Sequence, residues 1–220
     1  YLDMSGQPLH LRGYREKSGD APLRENLAAA ILRMSGWDQK TPLIDPMCGS
    51  GTLAIEAAQW AARLAPGLSR DRFGFERWNN FDEEMMQSVR QLRGELRAAA
   101  TGQKPSIVAR DNDGEVLDIA KANSRIAGVQ LSFKNQSILD LQSDGPARTL
   151  VTNPPYGKRL SSDDEFLGKM GAVIRRLHGW RVAILSGSSN IERAIKIPPI
   201  NSIPLVNGDL DCQLLIYQID

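Results

Sequence analysis

Apolar residues along the chain follow two alternating rhythms. Short apolar runs bounded by turn-forming residues alternate with longer stretches in which apolar side chains recur every three or four positions. Residues 2–12 read as a hairpin with apolar runs on either side of Ser5-Gly6-Gln7-Pro8. A helix follows with Leu23, Leu27, Ile31 and Met34 on one face, Pro22 in its first turn and Gly36 as its stop. Pro42-Leu43-Ile44-Asp45 is a short buried strand that runs through Pro46-Met47-Cys48-Gly49-Ser50-Gly51 into a helix with Leu53, Ala57, Ala58, Ala61 and Leu64 inward.

Residues 65–104 interrupt this alternation. Their first half is rich in arginine and aromatics; their second half is a helix with Phe81, Met85, Val89, Leu92 and Leu96 at helical spacing, opened by an Asn80/Glu83 capping box. Strands then recur at 106–109 (running on to Asp111), 129–133, 149–152 and 180–185. Between the first two of these strands lies a helix with Val116, Ala120 and Ala127 inward, ending at Gly128. Between the last two lies one with Phe166, Met170, Val173, Ile174 and Leu177 inward, capped by Ser162 and Glu165 and stopped by Gly179. Two late strands, around Ile200 and from Cys212 to Ile219, are joined through Asn207-Gly208-Asp209, a hairpin signal. Repeated strand–helix–strand units predict an α/β doubly wound, mostly parallel sheet, with the closing hairpin supplying one antiparallel strand at or near an edge. The expected organisation is one structural domain: an N-terminal hairpin-and-helix extension over 1–40, then a 41–220 core carrying the 65–104 insertion.

Composition narrows the class. The 220 residues are 41 % hydrophobic and 24 % charged, too apolar for a disordered chain. No apolar run approaches the roughly 20 residues that span a bilayer. Lys+Arg (27) nearly balance Asp+Glu (26), for a net charge of +1, with no charge blocks to mark a nucleic-acid binder. Two cysteines, Cys48 and Cys212, are no disulfide framework, so a reducing cytoplasm is the expected compartment. Tyr1 in place of an initiator methionine, with no signal peptide behind it, makes a piece of a longer polypeptide the expectation.

The glycine loop carries the first chemistry. Asp45-Pro46-Met47-Cys48-Gly49-Ser50-Gly51-Thr52 joins a strand to a helix, where glycines allow close backbone approach and the helix N-terminus offers N–H groups to an anion. A phosphate-binding loop needs Gly-Lys-Ser/Thr, which is absent. A dinucleotide site wants an acid at a strand end about 20 positions on, and Glu76 lies in a loop-like stretch. The acid that ends the next strand is Asp111, suited to the two hydroxyls of a ribose. The loop thus favours an adenosine cofactor without a pyrophosphate.

Asn153-Pro154-Pro155-Tyr156 carries the second. It follows a parallel strand, where open α/β sheets bind ligands, and its two prolines hold the chain rigid. The Asn oxygen and a proline carbonyl can both accept from one exocyclic NH2 while Tyr156 stacks on the attached ring. Two such acceptors draw the nitrogen toward tetrahedral geometry and free its lone pair to attack a methyl sulfonium, so catalysis is positioning and electrostatics.

These residues resemble the class I S-adenosylmethionine-dependent methyltransferases, and more narrowly the bacterial large-subunit rRNA guanine-N2 methyltransferase (RlmL-type) family. The resemblance covers nearly the whole chain. Its markers are Leu9-His10-Leu11-Arg12-Gly13-Tyr14-Arg15, Ala21-Pro22-Leu23-Arg24-Glu25, Asp45 to Thr52, Ala65-Pro66-Gly67-Leu68 with Phe75-Glu76-Arg77-Trp78, and Asn153-Pro154-Pro155-Tyr156-Gly157-Lys158-Arg159-Leu160. It implies a Rossmann-like seven-stranded sheet with one reversed strand, and S-adenosylmethionine lying over the loop Pro46, Met47, Cys48, Gly49, Gly51 and Thr52. Asp111 would hold the ribose, Asn112 would lie near the adenine, and Asp45 would orient the methionine end. Many relatives carry Asp where this chain has Ser137, so the adenine-amino contact there is weaker or made by the backbone. The implied activity is methyl transfer to N2 of a guanosine in RNA, most fittingly 23S rRNA. The alternatives are tRNA guanine-N2, DNA adenine-N6 or protein glutamine methylation, or an inactive RNA-binding module; a nicotinamide-dependent reductase is disfavoured by the Asn-Pro-Pro-Tyr. Family members usually carry an N-terminal THUMP-type RNA-binding domain, a partner this chain does not contain; it would leave the phosphate grip to that neighbour.

Other residues keep two readings. Cys48 as a covalent nucleophile is weaker than Cys48 as a cofactor contact or packing residue, and Cys212 reads as core. Arg70, Arg72, Arg77 and Trp78 with Phe73 and Phe75 either grip RNA or form an insertion with buried aromatics. Lys158 and Arg159 are phosphate candidates. Arg12, Tyr14, Arg15, Arg24 and Glu25 are placed near the cofactor or RNA mouth. His10 and His178 lack ligand-spaced partners, and no metal site is expected.

Overall fold

The computed structural model describes residues 2–15, 23–143, 146, 148–155 and 164–220. Their strands form one sheet: β1 (Leu43–Asp45), β2 (Ile107–Asp111), β3 (Ser132–Asn135), β4 (Thr149–Thr152), β5 (Arg181–Ser186), β6 (Asn201–Asn207) and β7 (Leu210–Gln218). The spatial order is β3-β2-β1-β4-β5-β7-β6. β1 to β5 pair in parallel, and β7 runs antiparallel to both of its neighbours. The single reversed strand thus lies one in from the edge, in the predicted α/β doubly wound arrangement. From β1 the chain winds out through β2 and β3, then returns to lay β4 on the other side of β1. That reversal opens a crevice at the carboxyl ends of β1 and β4.

Strand alternation explains why both sheet faces are covered. Leu43, Ile107, Ala109, Ala183, Leu185, Leu214 and Ile216 face one core, with helices α1 (Glu25–Met34), α2 (Thr52–Ala61) and α4 (Gly114–Ile126). Ile44, Val108, Leu150, Val182, Ile184 and Tyr217 face the other, with α5 (Asp164–Arg175) and α6 (Asn190–Ile195). α2 is buried along most of its length, from Thr52 to Ala58 and at Ala61, because α1 covers the side turned away from the sheet. Small residues at Ala54, Ala57, Ala58 and Ala61 make that double contact possible.

Several expectations need correction. Among the described residues of 2–12 there is no strand, so the predicted hairpin is absent. Arg70 donates to the carbonyls of Ser5, Gln7 and Pro8, and Phe75 N–H donates to Met4 O, so the segment is tied to the insertion and keeps only short-range turn bonds of its own, such as Leu11 N–H to Pro8 O, in place of a ladder. Gly74 allows the contact: a Cβ there would come within 2.7 Å of Gly6 N. The insertion helix α3 (Glu83–Ala98) is capped by Asp82, whose carboxylate accepts from Met85 N–H at 2.9 Å, not by Asn80. None of its residues is buried, and Met85 and Leu92 are exposed. β3 begins at Ser132 rather than Val129, and Leu64 falls outside α2. α4 buries Leu117 and Ala120, while Val116 and Ala127 are only half-buried. α6 was not predicted; at six residues it is too short to display a helical period. The Ser162 cap lies outside the described residues.

Candidate active site

The carboxyl end of β1 leads into the glycine loop, which is held by three hydrogen bonds, two to β2 and one from α4. Cys48 N–H donates to Arg110 O at 2.8 Å, Asn123 Nδ2 donates to Ser50 O at 3.0 Å, and Gly49 N–H donates to Asp111 Oδ2 at 2.9 Å. Gly49 sits at φ +53° and Gly51 at φ +87°, both in the left-handed region that glycine adopts without strain. A Cβ at Gly49 would meet none of the described residues within 4 Å, so the loop backbone is open to a ligand there. A Cβ at Gly51 would lie 3.1 Å from Ala120 Cβ, so that glycine serves the packing of the loop on α4. Gly51 is also the N-cap of α2 and gives no side-chain cap, which leaves the first-turn N–H groups of α2 available to an anion.

Three strand ends place acidic or amide side chains around this loop. Asp111, at the end of β2, is half-buried, and besides Gly49 it accepts from Asp113 N–H through Oδ1 at 3.1 Å. Asp45 ends β1 and is only 1 % exposed; its Oδ1 accepts from Thr152 Oγ1 at 2.9 Å and from Met47 N–H at 3.3 Å. Burial pushes the Asp45 carboxyl up to about 7; the Thr152 and Met47 bonds hold it down, and the nearby Asp111 charge adds to the rise. Asn153 follows β4. Its Oδ1 is enclosed and has no hydrogen-bond partner among the described residues. Leaving a buried acceptor unpaired costs on the order of 1–3 kcal/mol, so such an atom calls for a functional account. Pro154 is buried, and Pro155 is exposed.

The other candidate residues separate. Pro46 is buried and Met47 half-buried within the loop, and Met47 packs on the second core. Cys48 is buried, burial pushes its thiol well above the ordinary range, and its Sγ lies 3.5 Å from Gly49 O, so it remains a thiol and a poor nucleophile. Cys212 is in the core. Thr52 is buried, with its hydroxyl accepting from Arg15 Nη2 at 2.8 Å. Asn112 is exposed beside Asp111. Ser137 caps the short 3-10 turn Ile138–Asp140 by accepting from Leu139 N–H at 3.2 Å. Tyr156, Lys158 and Arg159 lie outside the described residues.

The N-terminal segment forms a strap over α1 and α2. Arg12 pairs with the buried Glu56 at 3.4 Å, Tyr14 donates to the same carboxylate at 3.2 Å, and Arg15 lies 3.6 Å from the buried Glu25. Arg24 is exposed. In the insertion, Phe73, Phe75 and Phe81 are half-buried, with the Phe75 ring 5.8 Å from each of the other two. Arg70 is committed to the strap carbonyls, whereas Arg72 and Arg77 are exposed and Trp78 is half-buried. His10 is half-buried, and His178 Nδ1 lies 2.6 Å from Asp220 O. Among the described residues there is no group of three or more potential metal ligands, and no helix is long and apolar enough to cross a membrane.

Two contributors escaped the sequence reading. Asn123 lies three residues after Ala120 on the inward face of α4, and a polar residue within an apolar stripe is the signal that points to it. Thr152 gave no signal beyond its place in an apolar strand.

A seven-stranded sheet with this order, a glycine loop after β1, an acid after β2 and an amide after β4 defines the class I methyltransferase architecture. The chain belongs to the RMKL-like methyltransferase-domain family (UPF0020), which it matches over residues 12–216. It is similar to SMU.472, a candidate methyltransferase solved with SAH, at 34 % identity and TM-score 0.88, over 99 % of this chain and 58 % of that one. A structure described as a predicted N6-adenine-specific DNA methylase from Listeria monocytogenes is 32 % identical with TM-score 0.85, over 99 % of this chain and 57 % of that one. TrmN from Thermus thermophilus, at 18 % identity and TM-score 0.67 over 96 % of this chain and 53 % of that one, shares the fold. The chain therefore spans somewhat more than half the length of these proteins.

Proposed function

We propose that this chain uses S-adenosylmethionine to methylate the exocyclic N2 of a guanosine in RNA, with 23S rRNA as the substrate that best fits its resemblance to the RlmL-type enzymes. The observation that carries this reading is the enclosed, unpartnered Oδ1 of Asn153, set on the strand beside the cofactor-type loop. An acceptor left unpaired at the end of β4 is suited to a donor that arrives with the substrate, and an exocyclic amine is such a donor.

S-adenosylmethionine supplies the methyl group as an electrophilic sulfonium carbon. The residues fit it: Asp111 retains lone pairs for ribose hydroxyls beside those used by Gly49 and Asp113, Asn112 lies next to it toward the adenine, and Ser137 holds the turn after β3. Asp45 faces the methionine end as an acceptor for its ammonium, and Gly49 leaves the backbone uncovered. Asn153 Oδ1 and the Pro154 carbonyl accept the two amine hydrogens, and Tyr156 is assigned the stacking face. Held this way, the nitrogen presents its lone pair to the methyl group: the N–C bond forms as the S–C bond breaks, and the amine proton leaves to solvent. The charged groups Lys158, Arg159 and Arg77, with Trp78, are assigned to the RNA backbone, and a THUMP-type domain elsewhere in the protein to most of the phosphate grip.

The test is product analysis. Protein incubated with methyl-labelled cofactor and separate samples of rRNA, tRNA and duplex DNA is expected to yield labelled N2-methylguanosine from 23S rRNA. N6-methyladenine from DNA, the activity named for the Listeria relative, would replace the substrate assignment. A label confined to tRNA would move it to another RNA. Separately, Asp111→Ala is expected to weaken SAH binding roughly 10- to 100-fold by calorimetry, the worth of one or two charge-assisted hydrogen bonds.

A further inference from the structure

The paired backbones of β1 and β4 separate before they reach the site. Their ladder pairs Leu43 with Thr149 and Ile44 with Leu150, and ends there, three residues short of Asn153. Beyond it the two strand ends are joined side chain to side chain, by Thr152 Oγ1 donating to Asp45 Oδ1 at 2.9 Å. Both residues are nearly or wholly buried, at 0 % and 1 % exposure. Valine would fill the same space without a polar atom, and a buried hydroxyl is retained at a cost unless it is paired. Here it is paired with the loop carboxylate and stands next to Asn153 in the chain.

We propose that Thr152 is a positioning residue that ties the amine-binding end of β4 to the cofactor-binding end of β1 by orienting Asp45 and holding it in its charged form. This rests on the cofactor reading given above. The groups facing Asp45 make the role specific. Met47 N–H and the Thr152 hydroxyl stabilise the anion, the charge of Asp111 on β2 opposes it, and the neighbouring Cys48 stays a neutral thiol. With burial driving Asp45 up to about 7, loss of one donor changes how much of it is ionised near neutral pH. An ionised Asp45 is the form that accepts from the cofactor ammonium, so SAH affinity rises with pH as Asp45 deprotonates.

The test is SAH calorimetry between about pH 6 and pH 9 on the wild-type chain, Thr152→Val, Thr152→Ser and Asp45→Asn. The wild-type affinity is expected to rise through a midpoint near 7. Thr152→Val removes the donor, so its midpoint moves to higher pH by about one unit; its affinity near neutral pH falls about fivefold and rejoins the wild type at the alkaline end. Thr152→Ser keeps the hydroxyl and the wild-type profile. Asp45→Asn flattens the profile, and adding Thr152→Val to it changes affinity no further. A Thr152→Val midpoint equal to the wild type's overturns the proposal and leaves Thr152 a packing residue. If Thr152→Val does not fold, a wild-type pH rise persisting in Asp45→Asn overturns it instead, whereas a flat profile in that variant with an unshifted Thr152→Ser supports it. Absence of SAH binding by the wild type at every pH would overturn the cofactor reading itself.

Discussion

Asn153→Ala is expected to lower the methyl-transfer turnover roughly 100- to 1,000-fold, the typical loss when one preorganised electrostatic group is removed from a transition state. SAH affinity, measured on the same protein, should stay at the wild-type value, because the proposed cofactor contacts are those of Asp45, the glycine loop and Asp111. Thermal stability gives a second readout with an unusual sign. The Asn153 oxygen is enclosed without a partner among the described residues, so its removal deletes a desolvation cost of about 1–3 kcal/mol against the small cavity left behind. The variant should therefore melt at or above the wild-type temperature. A variant both inactive and strongly destabilised would show that Asn153 holds the turn together rather than the substrate, and full activity would remove it from the mechanism. A residue that weakens the fold while serving the reaction is a common feature of active sites.

The largest effect on stability is expected far from the chemistry, at Gly171 in the middle of α5. A Cβ built there would lie 2.2 Å from the backbone oxygen of Ala194 and 3.0 Å from Ile195 N, so α5 and α6 touch backbone to backbone. Arg175 fastens the same contact by donating to the carbonyls of Ala194 and Ile195 at 3.1 and 3.0 Å. Gly171→Ala must push the helices apart, and should cost about 3 kcal/mol or more. For a chain of this length that is a fall of roughly 6–12 °C in melting temperature. Gly168 supplies the control on the same helix. Nothing lies within 4 Å of a Cβ there, so Gly168→Ala should be neutral or stabilise by about 0.5–1 kcal/mol. Equal effects at the two positions would refute the close contact.

The hairpin at 2–12 and the helix cap at Asn80 show where reading along the chain fails. Both are local signals with real propensity behind them, and both lost to a neighbour. The carbonyls that a hairpin ladder would have used are taken by Arg70, more than 60 positions away. Asp82, two residues nearer the helix than Asn80, takes the cap. The insertion helix misled in another way: Met85, Val89, Leu92 and Leu96 have core spacing, yet none of them is buried. A period of 3.6 records that a helix has an apolar face, and says nothing about whether another element covers it.

The periodicity of apolar residues, the two strand-end motifs and the order of strands and helices were sufficient to define the sheet, its single reversed strand and the place of the glycine loop. These are local or nearest-neighbour properties: side-chain alternation, glycine freedom at positive φ, and the rule that parallel strands are joined through a crossover helix. Tertiary structure alone decided which groups meet. It brought Asp111 to Gly49 across 62 positions and Thr152 to Asp45 across 107. It left Asn153 Oδ1 without a partner among the described residues, and pressed Gly171 against Ala194. Pairing, burial and the charge of a carboxylate depend on what lies across space, which a pattern along one dimension does not contain.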